Sequence, residues 1–306
     1  MNEIDSWQNG KYIKNSKIGT KIWDAHYMFG HAVFDAFRTY NHKPHLLYQH
    51  ISRLYRSAKL AEIEFDMLQR DMKKQIKETM EHNKEFFKND EYRFMIYISP
   101  GYFRIYDDMG VPEPIITINP TTTSRYASHI VPHLDMGVTA LISSQVHIPS
   151  RFLDPKIKSC SRLHYGIAEA EASRYGKGIY PILLDEHGYI TESSGASVGF
   201  IKDGNLCLPK DSNILQGCTM KFIESLTHRV SCKTQIIKDN FEIYDIINSD
   251  GIIFSGAFVG ILPCYNIIYR NKKHTLEGGK PTIDNLKEAY SKAVGVDVEE
   301  QWRKWY

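Results

Sequence analysis

The chain has 306 residues, of which 42% are hydrophobic, so it is long enough for one large or, as we expect, two ordinary domains. Charged residues make up 24%, the formal net charge is +2, and no long block of one sign occurs. Nothing in this balance indicates nucleic acid or an anionic membrane as a partner, and we expect a protein that acts on a small molecule.

The amino-terminal part of the chain predicts strands and two helices. Asn9-Gly10 favours a hairpin between Trp7 and Tyr12, because this pair readily takes the positive φ angles of a tight turn. A helix with one apolar and one polar face follows. Its apolar face comprises Ile51, Leu54, Tyr55 and Ala58, and its polar face His50, Arg53 and Ser57. A second helix is predicted from about Asp66, with strands at 92–98 and 115–118.

The carboxy-terminal part mixes helices with hairpins. A turn-rich segment predicts an interdomain linker at 121–133, which separates a small domain (1–120) from a larger one (134–306). Strands are predicted at 138–143, 179–184, 189–191, 198–201, 206–208, near 234 and within 251–265, and helices at 163–175 and near 219. Asp203-Gly204 marks a second hairpin. This order predicts a mixed α/β (α+β) fold rather than a purely doubly wound sheet.

The cysteines and the apolar runs bear on the cellular compartment. There are five cysteines and no C-x-x-C pair, so neither a disulfide framework nor a structural zinc site is indicated. They are Cys160, Cys207, Cys218, Cys232 and Cys264. The amino terminus lacks an apolar signal core, and the run 251–265 is too short to span a membrane. We therefore expect a cytoplasmic protein without a metal site.

Composition and periodicity select no catalytic residue, but five segments together resemble the fold-type IV pyridoxal-phosphate enzymes. That group includes branched-chain aminotransferases, D-amino acid aminotransferase and 4-amino-4-deoxychorismate lyase. The segments are FGHAVFDAFR (29–38), HISRL (50–54), PKIKS (155–159), GYITESS (188–194) and LQGCT (215–219), in the family's order. The resemblance implies a small α/β domain, a larger mixed domain, pyridoxal 5′-phosphate in the cleft between them, and a homodimer.

The third segment is similar to the D-I-K-S segment of D-amino acid aminotransferase, which implies that Lys158 forms the Schiff base with the cofactor. A deprotonated ε-amine attacks an aldehyde and can later carry a proton. Lys156 is two residues away and would face the same side of an extended segment, so spacing alone leaves both lysines open. The neighbouring Ile157 and Ser159 favour Lys158.

Two further segments imply charged contacts with the cofactor. Arg53, in a pattern similar to H-x-x-R-L, would bind the phosphate, because a guanidinium is always charged and can engage two oxygens at once. Glu192, in a pattern similar to G-x-[IV]-[ST]-E-G, would pair with the pyridine nitrogen. A protonated ring nitrogen makes the ring an electron sink for the carbanion that forms when the substrate loses its α-proton.

The fifth segment resembles L-P-G-[IV]-T at the start of a helix. Unpaired backbone N–H groups and the helix dipole favour a phosphate at such a turn. The residues concerned are Gly217, Cys218 and Thr219. A weaker sixth segment, FSGAFV (254–259), is similar to the S-G-T-A turn of branched-chain aminotransferases, but Ala257 replaces the threonine and retains only its backbone N–H as a donor.

The substrate pocket is the least defined part. Phe29 and Phe34 would be pocket walls, and Arg93 would bind the substrate carboxylate as a strand arginine does in branched-chain enzymes. Several positions depart from the family. They are Asp35-Ala36 in place of Glu-Gly, Ser197 in place of asparagine, and Pro100-Gly101 where lyases and D-specific enzymes carry arginine before the glycine.

The resemblance implies an aminotransferase that moves an amino group between an amino acid, branched-chain or related, and a 2-oxo acid. In two half-reactions, Lys158 is displaced by the substrate amine, takes the α-proton and returns it to the cofactor. A pyridoxal-phosphate lyase of the aminodeoxychorismate type and a catalytically silent cofactor-binding protein are the alternatives. The sequence leaves the substrate and its stereochemistry open.

Overall fold

The computed structural model describes residues 3–102, 113–229 and 234–306, so Cys232 lies outside the described residues. The chain divides into two compact units. One comprises Met1–Arg125 and Ile157–Arg162, and the other Tyr126–Lys156 and Leu163–Tyr306. The first unit is therefore discontinuous, which the sequence did not predict. The linker at 121–133 stays a prediction; within it the chain forms two short 3-10 turns and one helix.

The first unit is built on a six-stranded sheet whose strands pair antiparallel in the order β2-β1-β6-β5-β3-β4. Its elements are β1 (Asp5–Gln8), β2 (Lys11–Lys14), α1 (Ala25–Phe29), β3 (Val33–Tyr40), β4 (Lys43–Pro44), α2 (Leu47–Leu60), α3 (Gln69–His82), β5 (Tyr92–Ser99) and β6 (Ile115–Thr122). The predicted hairpin is confirmed, with Trp7 opposite Tyr12 and positive φ angles at Asn9 and Gly10. The two predicted helices are confirmed as α2 and α3.

Alternation along β3 and β5 gives the sheet of the first unit two different faces. Phe94, Ile96 and Ile98 are fully buried, as the core beneath α2 and α3 requires. The intervening residues of β5 lie on the opposite face, because successive side chains of a strand alternate. Phe34 pairs with Tyr97 and Arg38 with Arg93 in the register. Phe34 and Arg93 thus share the face that turns away from the helices.

The second unit contains an eight-stranded mixed sheet in the order β11-β10-β9-β12-β13-β7-β8, with β14 also paired to β13. Strand β7 runs parallel to β8 and β13, and β10 parallel to β11. The elements are α4 (Ala127–Ile130), β7 (Val138–Val146), α5 (Leu163–Ser173), β8 (Ile179–Leu184), β9 (Ser197–Lys202), β10 (Asn205–Pro209), α6 (Cys218–Leu226), β11 (Ile236–Asp239), α7 (Ile243–Ile247), β12 (Gly251–Gly256), β13 (Gly260–Tyr269), β14 (Lys272–Thr275), α8 (Lys280–Val294) and α9 (Val298–Trp305). The mixed fold class is confirmed.

Two sequence predictions for the second unit have opposite outcomes. The apolar run 251–265 forms two paired strands, β12 and β13, as predicted for buried strands joined by a glycine turn. The strand predicted over 189–191 is wrong, because this segment makes only isolated bridges, including Leu184 with Ile190. Within the described ranges, no helix is both long and apolar enough to cross a membrane.

Candidate active site

The segment that carries Lys158 lies along the edge of β3. The N–H of Phe34 donates to the carbonyl of Lys158 at 2.9 Å, and the N–H of Cys160 donates to the carbonyl of Ala32 at 2.8 Å. The N–H of Lys158 donates to Ser57 Oγ on α2 at 3.1 Å. Both backbone polar groups of Lys158 are therefore fixed, which gives its side chain a defined origin.

The two candidate lysines have different partners. Lys158 Nζ lies 4.6 Å from the centroid of the Phe34 ring. Lys156 Nζ lies 3.2 Å from Asp154 Oδ1, and its side chain is 41% exposed. The segment between them turns, since the N–H of Ser159 donates to the carbonyl of Ile157. The premise of an extended segment with both lysines on one side is thus wrong, and the contact with Phe34, a predicted pocket wall, favours Lys158.

Arg53 lies on a separate face of α2, as predicted, but that face is buried. Its Nε and Nη2 donate to Asp35 Oδ2 and Oδ1 at 2.8 and 2.9 Å, and His50 Nδ1 lies 2.7 Å from Oδ1. Burial raises the pKa of Asp35, but the charges of Arg53 and His50 outweigh it and hold that pKa well below its usual range. Asp35, which replaces the family's glutamate, therefore fixes Arg53 by a two-point ion pair.

The other predicted pocket residues lie at different positions in the first unit. Phe29 ends α1 and is half exposed. Arg93 is partly buried on β5, with Nη2 3.8 Å from Met95 Sδ. It lies four residues from Tyr97, whose ring stacks on Phe34 with centroids 5.9 Å apart. A strand rises about 3.3 Å per residue, so Arg93 is separated from the Phe34–Tyr97 pair along the sheet by roughly 13 Å.

In the second unit Glu192 is a buried carboxylate with donors at both oxygens. The Tyr165 hydroxyl, from α5, donates to Oε1 at 2.6 Å. The N–H of Leu215, three residues before α6, donates to Oε2 at 3.3 Å. A backbone N–H can only donate, so the arrangement suits the ionised carboxylate. Two oxygens offer about four lone-pair sites, which leaves capacity for a further donor.

A histidine that sequence reasoning missed lies beside this carboxylate. His147 Nε2 is 3.0 Å from the Tyr165 hydroxyl and 3.4 Å from Glu192 Oε1, and all three residues are at least nine-tenths buried. His147 Nδ1 lies 2.9 Å from the carbonyl of Ile148, which can only accept, so we assign a proton to Nδ1. No local pattern marks His147 or Tyr165, because they meet Glu192 only through the fold.

The predicted phosphate seat coincides with the start of α6. The helix begins at Cys218, and its N-cap residue Gly217 makes no side-chain capping hydrogen bond. A Cβ at position 217 would lie 2.5 Å from Ser197 Oγ, so a larger residue there would force the Ser197 side chain to move. Thr219 is buried in the same turn. The backbone N–H groups at the start of a helix point towards a position that is suited to an anion.

Buried hydroxyls without partners lie near this helix start. Ser255 is paired with Ser197 across β12 and β9, and residues paired in this way share a sheet face. Among the described residues, neither Ser255 Oγ nor Ser193 Oγ has a hydrogen-bond partner, although each residue is only 3% exposed. An unsatisfied buried hydroxyl costs about 1–3 kcal/mol, so both donors fit a missing acceptor such as phosphate. Ala257 lies in the turn after β12.

These features agree with the comparison to known families. The model of class IV aminotransferases matches residues 32–267. The chain belongs to this family. Class IV aminotransferases use pyridoxal 5′-phosphate, which is the cofactor of this chain, and the glycine at the start of α6, the unpartnered buried hydroxyls and the lysine fit that molecule.

Curated relatives extend along nearly the whole chain. A protein of Methanocaldococcus jannaschii, provisionally named branched-chain-amino-acid aminotransferase, is 24% identical over 96% of this chain and 98% of its own length. A D-alanine aminotransferase of Staphylococcus haemolyticus is 24% identical over 94% and 96%. The relatives therefore include both branched-chain-amino-acid aminotransferase and D-alanine aminotransferase names, so family membership does not decide the substrate.

Solved structures confirm the fold. The branched-chain aminotransferase of Thermoproteus uzoniensis, solved with norvaline, superposes with a TM-score of 0.83 at 20% identity, covering 99% of this chain and 98% of that chain. The Escherichia coli branched-chain aminotransferase gives a TM-score of 0.82 at 20% identity, covering 95% and 94%. The predicted fold-type IV architecture is thereby confirmed.

Proposed function

We propose that this aminotransferase exchanges an amino group between a branched-chain or related apolar amino acid and a 2-oxo acid. The observation that carries the proposal is the position of Lys158 Nζ over the ring of Phe34. An aromatic wall beside the reacting amine suits an apolar substrate side chain, which gains free energy by leaving water. Relatives and structural neighbours with branched-chain names support the same substrate class.

Pyridoxal 5′-phosphate, when bound, supplies an aldehyde that reacts with amines and a ring that accepts electrons. Lys158 would bind the aldehyde carbon, Arg53 and the α6 start would bind the phosphate, and Glu192 would meet the ring nitrogen. The α6 contacts would come from Gly217, Cys218 and Thr219, with the backbone of Ala257 and the Ser255 hydroxyl as additions. The buried, unpartnered hydroxyl of Ser255 supports this assignment because it lacks an acceptor in the protein.

Lys158 then acts as the proton carrier. With the cofactor bound and Lys158 released by the substrate amine, its side-chain amine would take a proton from the substrate Cα and later return one to the cofactor. Its main chain stays bonded to Phe34 and Ser57 during this exchange, so only the flexible side chain has to move. Water that enters the site releases the oxo acid.

Glu192 keeps the ring nitrogen protonated. Its carboxylate already accepts hydrogen bonds from Tyr165 and from the N–H of Leu215, both of which stabilise the ionised form. An ionised acceptor favours a protonated partner at the ring nitrogen. A protonated ring would be the stronger electron acceptor, which would weaken the Cα–H bond from which Lys158 takes the proton.

D-amino acid transfer is the second candidate. The segment Pro155 to Ser159 is similar to that of D-amino acid aminotransferase, and relatives of that name match nearly the whole chain. The missing arginine at Pro100-Gly101 argues against a D-specific enzyme and therefore favours L-amino acids. A β-eliminating lyase would instead form pyruvate from one substrate without any amino acceptor.

We also propose a cytoplasmic homodimer. Large apolar side chains are exposed in the second unit, which favours burial against another copy. They include Leu163, Phe152 and Ile167, exposed by 79%, 73% and 47%. The cysteines at 160, 207, 218 and 264 are free thiols, which suits a reducing compartment. Sedimentation of the purified protein at two concentrations tests the dimer.

Replacement of each lysine tests the assignment. The loaded protein should absorb visible light, and borohydride should attach the cofactor to the peptide that contains Lys158. Lys158→Ala should lose the reducible adduct and at least about a thousandfold in turnover, because the proton carrier is gone. Lys156→Ala is the matched control and should stay within about twofold, since Lys156 is an exposed ion-paired side chain.

The same preparation separates the candidates. L- and D-amino acids are offered with 2-oxoglutarate, and conversion is followed by loss of the visible band and by product. L-leucine, L-isoleucine or L-valine should react best. A reducible adduct and full turnover in Lys158→Ala would overturn the assignment, and acceptor-independent pyruvate would favour the lyase.

A further inference from the structure

We propose that Arg162 binds the α-carboxylate of the amino acid substrate. The inference rests on the proposed function, because it takes Lys158 as the position at which the substrate amine reacts. Arg162 lies four residues after Lys158, in the same short segment of the first unit. No family motif quoted above contains it.

The segment between the two cations is held firmly. Ser161 Oγ donates to the carbonyls of Phe29 and Gly30 at 3.2 and 3.3 Å, and the N–H of Ser161 donates to Ser159 Oγ at 2.9 Å. Gly30 has a φ of +66°, and a Cβ there would lie 2.9 Å from Ser161 Oγ. The contact is thus close enough to need glycine, and the backbone that leads into Arg162 is fixed on α1.

Lys158 and Arg162 lie against one aromatic ring. Lys158 Nζ is 4.6 Å and Arg162 Cζ is 5.4 Å from the centroid of Phe34. Cations at such distances are attracted to the π face of an aromatic ring. The charges of Arg162 and Lys158 both act on the thiol of Cys160. Burial raises the pKa of this thiol to about 11, although the two positive charges favour the thiolate and lower it. The two distances to one ring centroid place the guanidinium carbon no more than about 10 Å from the reacting amine.

This position matches the geometry of an amino acid. The amine and the α-carboxylate are substituents of one carbon, so the group that binds the carboxylate must lie within a few ångströms of the amine. A guanidinium is planar, permanently charged and able to form two parallel hydrogen bonds to a carboxylate. The contact of Cζ with the Phe34 ring limits the orientations of the Arg162 side chain, which lowers the entropy lost on binding.

Arg162 meets this requirement better than Arg93. Both residues belong to the first unit, but Arg93 lies four residues along β5 from the Phe34–Tyr97 pair and contacts Met95. That separation is about 13 Å between backbone positions at the usual rise of a strand, whereas the guanidinium carbon of Arg162 itself lies 5.4 Å from the Phe34 ring. Our assignment therefore moves the carboxylate contact from Arg93 to Arg162.

The test measures carboxylate binding without chemistry. The cofactor-loaded protein is titrated with 4-methylpentanoate, which has a carboxylate and an apolar chain but no amine, and the shift of the visible band gives Kd. Arg162→Gln should raise this Kd about 10- to 100-fold, the range for lost charge-assisted hydrogen bonds. In turnover assays, KM for L-leucine should rise more than kcat falls. 4-Methylpentanamide, which is uncharged, should bind both proteins equally weakly.

Three variants complete the design. Arg162→Lys should recover part of the affinity, since lysine keeps the positive charge but lacks the paired N–H donors of the planar guanidinium. Arg162→Met keeps an apolar stem against Phe34 and gives the same comparison if Arg162→Gln does not fold. Arg151→Gln is the control, because Arg151 is a 66% exposed arginine paired with Glu186 and should leave Kd unchanged.

The possible results are distinguishable. An unchanged Kd in Arg162→Gln or Arg162→Met, with the reducible Lys158 adduct intact, overturns this inference and leaves the proposed function standing. The same holds if Arg93→Gln alone weakens binding. Absence of a reducible adduct in the unmodified protein is a failure of the proposed function itself.

Discussion

Two buried carboxylates, one in each unit, are stabilised in opposite ways. Asp35 is fully buried and accepts from two basic side chains, Arg53 and His50, at 2.7–2.9 Å. Glu192 is 5% exposed and accepts from a tyrosine hydroxyl and a backbone N–H, with His147 at the longer distance of 3.4 Å. The negative charge of Asp35 is balanced by basic side chains. That of Glu192 is stabilised mainly by the dipoles of its hydrogen-bond donors.

This difference separates a structural carboxylate from one that is suited to a cationic ligand. A charge that is already balanced by a bidentate arginine gains little from a further cation, and its value lies in fixing the arginine. A carboxylate held mainly by hydrogen-bond dipoles keeps more of its attraction for a further cation in a medium of low dielectric constant. Glu192 is therefore the one that can attract a protonated ring nitrogen, and Asp35 is the one that orients Arg53.

The largest effect is expected for Glu192→Gln. Glutamine keeps the shape but removes the charge that favours the protonated ring, so turnover should fall about a thousandfold, or roughly 4 kcal/mol. Single-turnover kinetics with L-leucine measure the loss, and the temperature of unfolding should change little. Glu186→Gln, in an ion pair with Arg151, is the control and should keep full activity. Equal rates for Glu192→Gln and the original protein would contradict the different roles that we assign to Glu192 and Asp35.

Asp35→Asn should instead act on stability. It leaves the buried guanidinium of Arg53 without its counter-charge, which costs about 3 kcal/mol of unfolding free energy. Urea unfolding at neutral pH measures this quantity. Asp154→Asn removes an exposed carboxylate from its pair with Lys156 and should cost less than about 1 kcal/mol. A stable Asp35→Asn with unchanged cofactor affinity would contradict the structural role.

His45, which is affected by the charge of His50, should make the free energy of unfolding depend on pH. Burial, then the charges of His50 and Arg38, lower the pKa of His45 from 6.5 to about 4. The unfolded chain therefore binds this proton more readily, so the free energy of unfolding falls as pH drops from about 6.5 to about 4. The loss should be about 2 kcal/mol, reduced by solvent screening because His45 is not fully buried. His45→Gln should flatten this slope in urea titrations, and an unaltered slope would exclude His45 as its source.

Tyr165→Phe should give the smallest effect. It removes one neutral donor from Glu192 while the Leu215 N–H remains, so the Kd for pyridoxal 5′-phosphate should rise several-fold, or about 1 kcal/mol. Fluorescence titration of the apoprotein measures this value. Tyr175→Phe, which removes a surface hydrogen bond to Asn271, should leave it unchanged. A thousandfold rise of this Kd would mean that the Leu215 N–H cannot compensate for the loss of the Tyr165 hydroxyl.

Local chemistry explains which features the sequence predicts well. Asn9-Gly10 specifies its hairpin because the turn angles depend on those two residues alone, and α2 follows from apolar spacing within one helix. The family motifs likewise single out Lys158 and Glu192 as candidate site residues. These signals depend only on residues that are close together in the sequence, so they can be interpreted without a structure.

The features that were missed depend on neighbours distant in sequence. The buried polar face of α2 exists because Asp35, on β3, meets Arg53, and the helix pattern cannot contain that information. His147 and Tyr165 converge on Glu192 from separate elements. The turn between Lys156 and Lys158 was mistaken for extended chain, since its backbone follows bonds to β3 and α2 rather than a local preference.

The discontinuity of the first unit sets an order on synthesis. A ribosome-bound chain of 125 residues contains all six strands of that unit's sheet but lacks the stretch that bonds to Ala32 and Phe34. The edge of β3 stays unsatisfied until residue 162 has emerged from the exit tunnel. Truncation at Arg125 would consequently yield a fragment with an unpaired, aggregation-prone strand edge. Lys158 can join the first unit only after residues 126–156 of the second unit have been translated.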